Sequence, residues 1–162
     1  MTYLEIDSAL LAISQNMCNE CKARLDAIPK ENRTERKAVQ LEYAMYDFCS
    51  AIPNDRKDSI QRRQRFFEKT MHMAPQLASV YHTLDEESKV NFVAAMHCQP
   101  FIQDQWVNKK EAELAAATDS GDTKSIFELT IQLGAVKNMF AAWEAWRVEN
   151  NIFPHMFEGD CA

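Results

Sequence analysis

Apolar residues recur along this chain at intervals of three and four almost from end to end, and almost nowhere in strict alternation. That spacing gathers them on one side of a helix with 3.6 residues per turn. Over residues 2–28, Leu4, Leu11, Cys18 and Leu25 stand seven apart, with Ile6, Leu10, Ile13, Met17, Cys21 and Ile28 flanking them. Such a broad stripe predicts one long helix, about 38 Å if some 25 residues continue unbroken. A second helix over about 32–52 would turn Ala38, Leu41, Met45, Phe48 and Ile52 to one face. A third, over about 55–74, would use Ile60, Phe67, Met71 and Ala74, with Phe66 and Met73 beside them.

Prolines at 29, 53, 75, 100 and 154 punctuate this pattern, where they can open or close helices but not lie inside them. Pro75 opens a short helix carrying Leu77, Val80 and Leu84. At Thr83-Leu84-Asp85-Glu86 the sequence reads as a capping box, with the Thr83 oxygen taking an amide and Glu86 reaching back. The helix started there should run to Cys98, and a fifth over about 101–117 carries Phe101, Ile102, Trp106 and Leu114. The turn TDSGD follows, with Asp122 as N-cap. A last helix over about 123–149 spaces Leu129, Leu133, Val136, Phe140 and Trp143 by fours and threes, and Asn150-Asn151 can end it. The fold expected is all-α, a single-domain bundle or orthogonal array of six or seven helices over residues 1–150 with an irregular tail over 151–162.

Composition narrows the function more than the fold. The chain has 162 residues, enough to bury a core without disulfides, and only three glycines, with neither GxGxxG nor GxxxxGK[ST] among them. This argues against a dinucleotide or P-loop nucleotide enzyme. No basic residue precedes Lys22, and the longest apolar run near the start, Ala9 to Ile13, is far short of a membrane span of about 20 residues. A cytoplasmic protein without a membrane partner is expected, its five cysteines being free thiols. Net charge is −6 but unevenly placed: residues 22–69 hold 12 Lys/Arg against 8 Asp/Glu, and the remainder holds 6 against 16.

Candidate chemistry is sparse. Cys18 and Cys21 form a CxxC within MCNEC, yet they fall mid-helix in an apolar stripe, with no tight turn to aim amides at the sulfurs. Cys49 and His72 are the conceivable further ligands of a metal-supported bundle, but buried small apolar thiols are the simpler reading, and no cofactor is expected. Neither a nucleophile motif nor paired Glu-x-x-His is present, so an enzyme is not expected.

Two surfaces could serve binding instead. The acidic residues Asp85, Glu86, Glu87, Glu111, Glu113, Glu128 and Glu144 could meet a basic partner, carboxylates standing in for phosphates on a nucleic-acid-processing protein. Aromatic Trp146, Phe153 and Phe157 at the C-terminal end could add hot-spot contacts, unless they cap the bundle itself. The resulting expectation is a non-enzymatic adaptor or inhibitor binding a protein partner, of a kind that would suit a small phage-like protein. The alternative is a nucleic-acid-binding module using Arg56, Arg62, Arg63, Arg65 and Lys69, which the acidic whole makes less favourable. Broad apolar stripes would also suit a homodimer.

Overall fold

A computed structural model describes residues 1–50, 58–96 and 100–153, without the side chains of residues 58, 59, 76 and 100–102. Among the described residues it is all-α: α1 (Tyr3–Ala27), α2 (Arg33–Ser50), α3 (Asp58–Thr70), α4 (Pro75–Thr83), α5 (Glu86–Ala95), α6 (Pro100–Ser120) and α7 (Thr123–Glu149). A 3-10 turn, Met71–Met73, links α3 to α4.

The helix ends explain why the chain breaks where it does. Thr2 and Glu5 form a reciprocal capping box at the start of α1. At the other end of α1, the Arg36 guanidinium donates to the Leu25 and Ile28 carbonyls at 2.7 and 2.8 Å, so that α2 itself satisfies the last acceptors of α1. Between α6 and α7 only Gly121 and Asp122 intervene. Gly121 takes φ +70°, its N–H donates to the Thr118 carbonyl, and the Asp122 N–H donates to the Ala117 carbonyl. This is the double bond pattern that closes a helix through a left-handed residue. Asp122 then caps α7 at once, accepting from the Ser125 amide at 3.1 Å. The end of α7 repeats the device with Asn151 at φ 53°, as Asn151 and Ile152 donate to the Val148 and Arg147 carbonyls.

Two helical hairpins carry the architecture. α1 and α2 pack side by side, as do α6 and α7, and α2 lies along α7 to join the pairs. Ion pairs mark the registers: Arg24–Glu42 between α1 and α2, Lys37–Glu128 between α2 and α7, and Glu111–Lys137 between α6 and α7. The centre is the seam of α1 with α7. Trp143, wholly buried, donates its indole N–H to the Leu10 carbonyl at 3.1 Å, and the Ser14 hydroxyl lies within reach of both that carbonyl and the Met139 sulfur.

α5 packs on α1, and α3 packs on α5. At this end Phe92 is an aromatic hub, meeting Phe67, Tyr81 and Phe153 with ring centroids 5.9, 6.1 and 5.9 Å away. The contacts with Phe67 and Phe153 are edge-to-face, an arrangement that adds roughly 0.5–1.5 kcal/mol each beyond area burial. Tyr81 also ties α4 to α3, accepting from Gln64 at 2.9 Å and donating to Glu68 at 2.8 Å.

Several expected details are corrected. The first residue of the predicted heptad row, Leu4, is exposed, and the core row of α1 runs through Ile6, Leu10, Ser14, Cys18 and Cys21. On α2 the buried residues are Val39, Tyr46 and Cys49, while Phe48 is 59% exposed. Adjacent helical positions point about 100° apart, so the buried stripe is turned by one residue from the expected one. Thr83 does not cap α5. Leu84 is extended (φ −82°, ψ 148°) and Thr83 closes α4 by donating to the Val80 carbonyl. Asp85 is the cap instead, accepting from the Ser88 amide at 2.7 Å. α5 ends at Ala95 rather than Cys98, and residues 97–99 lie outside the described residues.

Gly121 and Gly134 should respond to alanine in opposite directions. Gly134 is exposed within α7, and nothing lies within 4 Å of a Cβ placed there. Gly134→Ala should raise stability in urea unfolding by about 0.5–1 kcal/mol through helix propensity. Gly121→Ala meets no clash either, but its left-handed backbone should make it cost about 1 kcal/mol.

Candidate functional site

The CxxC thiols are core residues. Cys18, Cys21 and Cys49 are free and buried, at the interface of α1 with α2. Burial pushes the Cys18 thiol up, that of Cys21 up to about 11 and that of Cys49 up to about 12. A thiol that resists ionisation is a poor nucleophile and a poor metal ligand. His72, the suggested fourth ligand, is exposed in the 3-10 turn, its Nδ1 3.0 Å from the Lys69 carbonyl. Among the described residues no group of three His, Cys, Asp or Glu side chains is assembled that could hold a metal ion.

The acidic residues are distributed rather than gathered, and most already have cationic partners. Lys137 binds Glu111, Lys110 binds Glu113, Lys37 binds Glu128 and Arg147 binds Glu144. The Lys110 and Lys37 contacts hold the Glu113 and Glu128 carboxyls below their usual range. At the start of α5, Asp85 is taken up in capping, Lys89 lies 2.6 Å from Glu86, and Glu87 is exposed. Of the seven carboxylates, Glu111 and Glu128 pair across neighbouring helices, Glu86, Glu113 and Glu144 pair within their own helix, Asp85 caps α5 and Glu87 is exposed.

The C-terminal aromatics divide similarly. Phe153 folds back onto Phe92, and Trp146 is half-buried against the core. Arg147, 4% exposed, fastens this return by donating to the Ile152 carbonyl at 3.1 Å while gripping Glu144. Phe157 lies outside the described residues.

The basic stretch is where the structure creates something. Arg56 lies outside the described residues, and Arg63 is not a surface cation. Its guanidinium forms a two-pronged ion pair with the buried Asp7 of α1, at 2.5 and 3.2 Å, so it belongs with Ile60 and Phe67 on the inward side of α3. Outward lie Arg62, Arg65, Phe66 and Lys69, all exposed. Arg62 stands four residues before Phe66 and Lys69 three after it, so both flank its ring on the helix surface, with Arg65 on the same outward side. Phe66 is 70% exposed, and Met73, in the turn that follows, is 60% exposed. Phe66 and Phe67 are adjacent, so a helix cannot bury both against one neighbour; Phe67 took the inward place. The helical spacing sets Phe67 with Ile60 on the inward face and Phe66 beside it, and the structure agrees.

A second apolar concavity was not anticipated. Met45 and Phe48 of α2, Trp106, Lys109 and Lys110 of α6 and Gln132 of α7 line a groove of about 370 Å³. Of its residues Met45, Phe48 and Trp106 were expected on apolar helix faces; Met45 and Trp106 are half-buried against the core, and the turn of α2 leaves Phe48 exposed. No protein family, curated protein or solved structure matches this chain, so the reading of these surfaces rests on the chain itself.

The buried thiols make alkaline stability a direct check. Each folded-state pKa lies above the ordinary 9.0, so protons are held by the folded state and lost on unfolding. Stability should be intact below pH 9 and fall progressively from pH 9 toward about 11 to 12. Replacing Cys49 by Ala should flatten part of that fall in urea titrations. In a Cys98→Ser/Cys161→Ser variant, no thiol should react with a disulfide reagent at pH 8 until the protein is unfolded.

Proposed function

We propose that this protein is a non-enzymatic protein-binding module, an adaptor or inhibitor, and that its contact surface is the outward face of α3. The observation that carries this reading is Phe66, 70% exposed and set among Arg62, Arg65 and Lys69. Leaving a phenylalanine in water forgoes roughly 1.5–3 kcal/mol of burial, a cost a partner can recover. Aromatic and arginine side chains are the residue types that dominate binding energy at interfaces. The complementary partner carries an apolar pocket ringed by carboxylates.

The acidic-face route to the same function has less support. Recruiting Glu111, Glu113, Glu128 or Glu144 would require a partner to compete with lysine or arginine neighbours already 2.6–2.8 Å away. Binding of nucleic acid would draw on the same α3 cations, but Arg63 is turned inward to Asp7, on a chain of net charge −6. A polyanion would also leave Met73 without apolar cover.

Pull-down from the native cell extract, with and without nuclease and at low and moderate salt, tests this. A protein that survives nuclease should be captured by the wild type and lost, by at least about tenfold, with Phe66→Ala and with Arg62→Glu/Arg65→Glu. Because Phe66 is exposed, its replacement should shift stability by no more than about 0.5 kcal/mol. Recovery of nucleic acid, or a partner retained by the Phe66→Ala variant, would overturn the assignment.

A further inference from the structure

The groove between α2 and α6 is separate from the α3 face: it is built on α7, whereas α3 packs on α5. Its floor and walls are the thioether of Met45, the exposed ring of Phe48 and the half-buried indole of Trp106. α2 supplies an apolar row, Leu41, Met45 and Phe48, at intervals of four and three, which the fold leaves half-covered to exposed. The lining contains two lysines and no carboxylate. Lys110 lies over the Trp106 ring, 5.7 Å from its centroid, and reaches Glu113 at 2.7 Å, while Lys109 is exposed on the same rim.

We propose that this groove receives an amphipathic helix of a partner protein, apolar along one row and carrying carboxylates beside it. Three features select that occupant. Two helices flanking a third offer ridges and grooves that a further helix can fill, and an i, i+3 pair such as Met45–Phe48 matches apolar anchors at the same spacing. The described residues offer no strand edge to which an extended peptide could add. Lys109, exposed on the rim, complements a carboxylate flanking the apolar row, Lys110 being already held by Glu113, and a phosphodiester chain would supply the charge without the apolar side chains that Met45, Phe48 and Trp106 demand. With the α3 face, this gives the molecule two binding surfaces of different design, which is the requirement for an adaptor that bridges partners.

Selection of a displayed library of helical 18-residue peptides on the full chain tests the occupant without assuming its identity. Enriched peptides should carry apolar residues at i, i+3 or i+4 and i+7, flanked by Asp or Glu. The best of them should bind at least about tenfold more weakly to Phe48→Ala and to Lys109→Glu, and with unchanged affinity to Phe66→Ala, which separates this groove from the α3 face. Phe48 is 59% exposed, so Phe48→Ala should fold, and a circular-dichroism melt of each variant confirms it. Enrichment of basic or non-amphipathic peptides, no enrichment above background, or binding indifferent to Phe48 and Lys109 would overturn the proposal. So would a dimer in sedimentation that Phe48→Ala dissociates, since the groove would then be covered by a second copy of this chain.

Discussion

The Trp143 indole meets the Leu10 carbonyl across 133 positions of sequence, a buried contact that ties α7 directly to α1. Both residues are wholly buried, and so are the Ser14 and Met139 side chains beside them. An indole N–H without an acceptor in such a place would cost about 1–3 kcal/mol. The acceptor here is a backbone carbonyl of α1, so sliding or rotating α7 against α1 would break the bond. With that seam set, α2 is held on α1 through the short turn capped by Arg36, and α6 on α7 through Gly121 and Asp122.

A second constraint ties the smaller helices to this frame. Asp7 and Arg63 are both largely shielded from water, and each supplies the charge the other needs. Buried ion pairs are weak evidence of stability, because desolvation offsets much of their attraction, but breaking one by removing a partner is costly. Its clearer effect is orientational: with Arg63 facing α1, the helical period sends Arg62, Arg65, Phe66 and Lys69 outward. The proposed contact surface is thus a consequence of where one arginine found its carboxylate.

The same logic links the ion pairs of α6 and α7 to function. Glu111, Glu128 and their lysine partners lie between helices at moderate exposure, where each pair adds about 1 kcal/mol or less to stability. Their greater effect is on what the surface can offer, since a carboxylate already engaged is a poorer docking point. A chain of net charge −6 therefore presents a cationic, apolar face on α3 and a lysine-rimmed apolar groove on α6.

The sequence by itself determined the helices. Spacing of apolar residues, proline positions and caps such as Asp122 are local, and a helix is held by hydrogen bonds between residues four apart, so its signals are local too. The CxxC in an unbroken stripe also disclosed that its thiols are packing residues. What the tertiary structure decided is which side of each helix faces in. On α2 the stripe is turned by one residue, about 100°, so that Cys49 is buried and the neighbouring Phe48 is exposed. Long-range partners mark the inward sides of α3 and α7: Asp7 for Arg63 and Leu10 for Trp143. No local pattern records those pairings, because the energy that selects them arises only when distant segments meet.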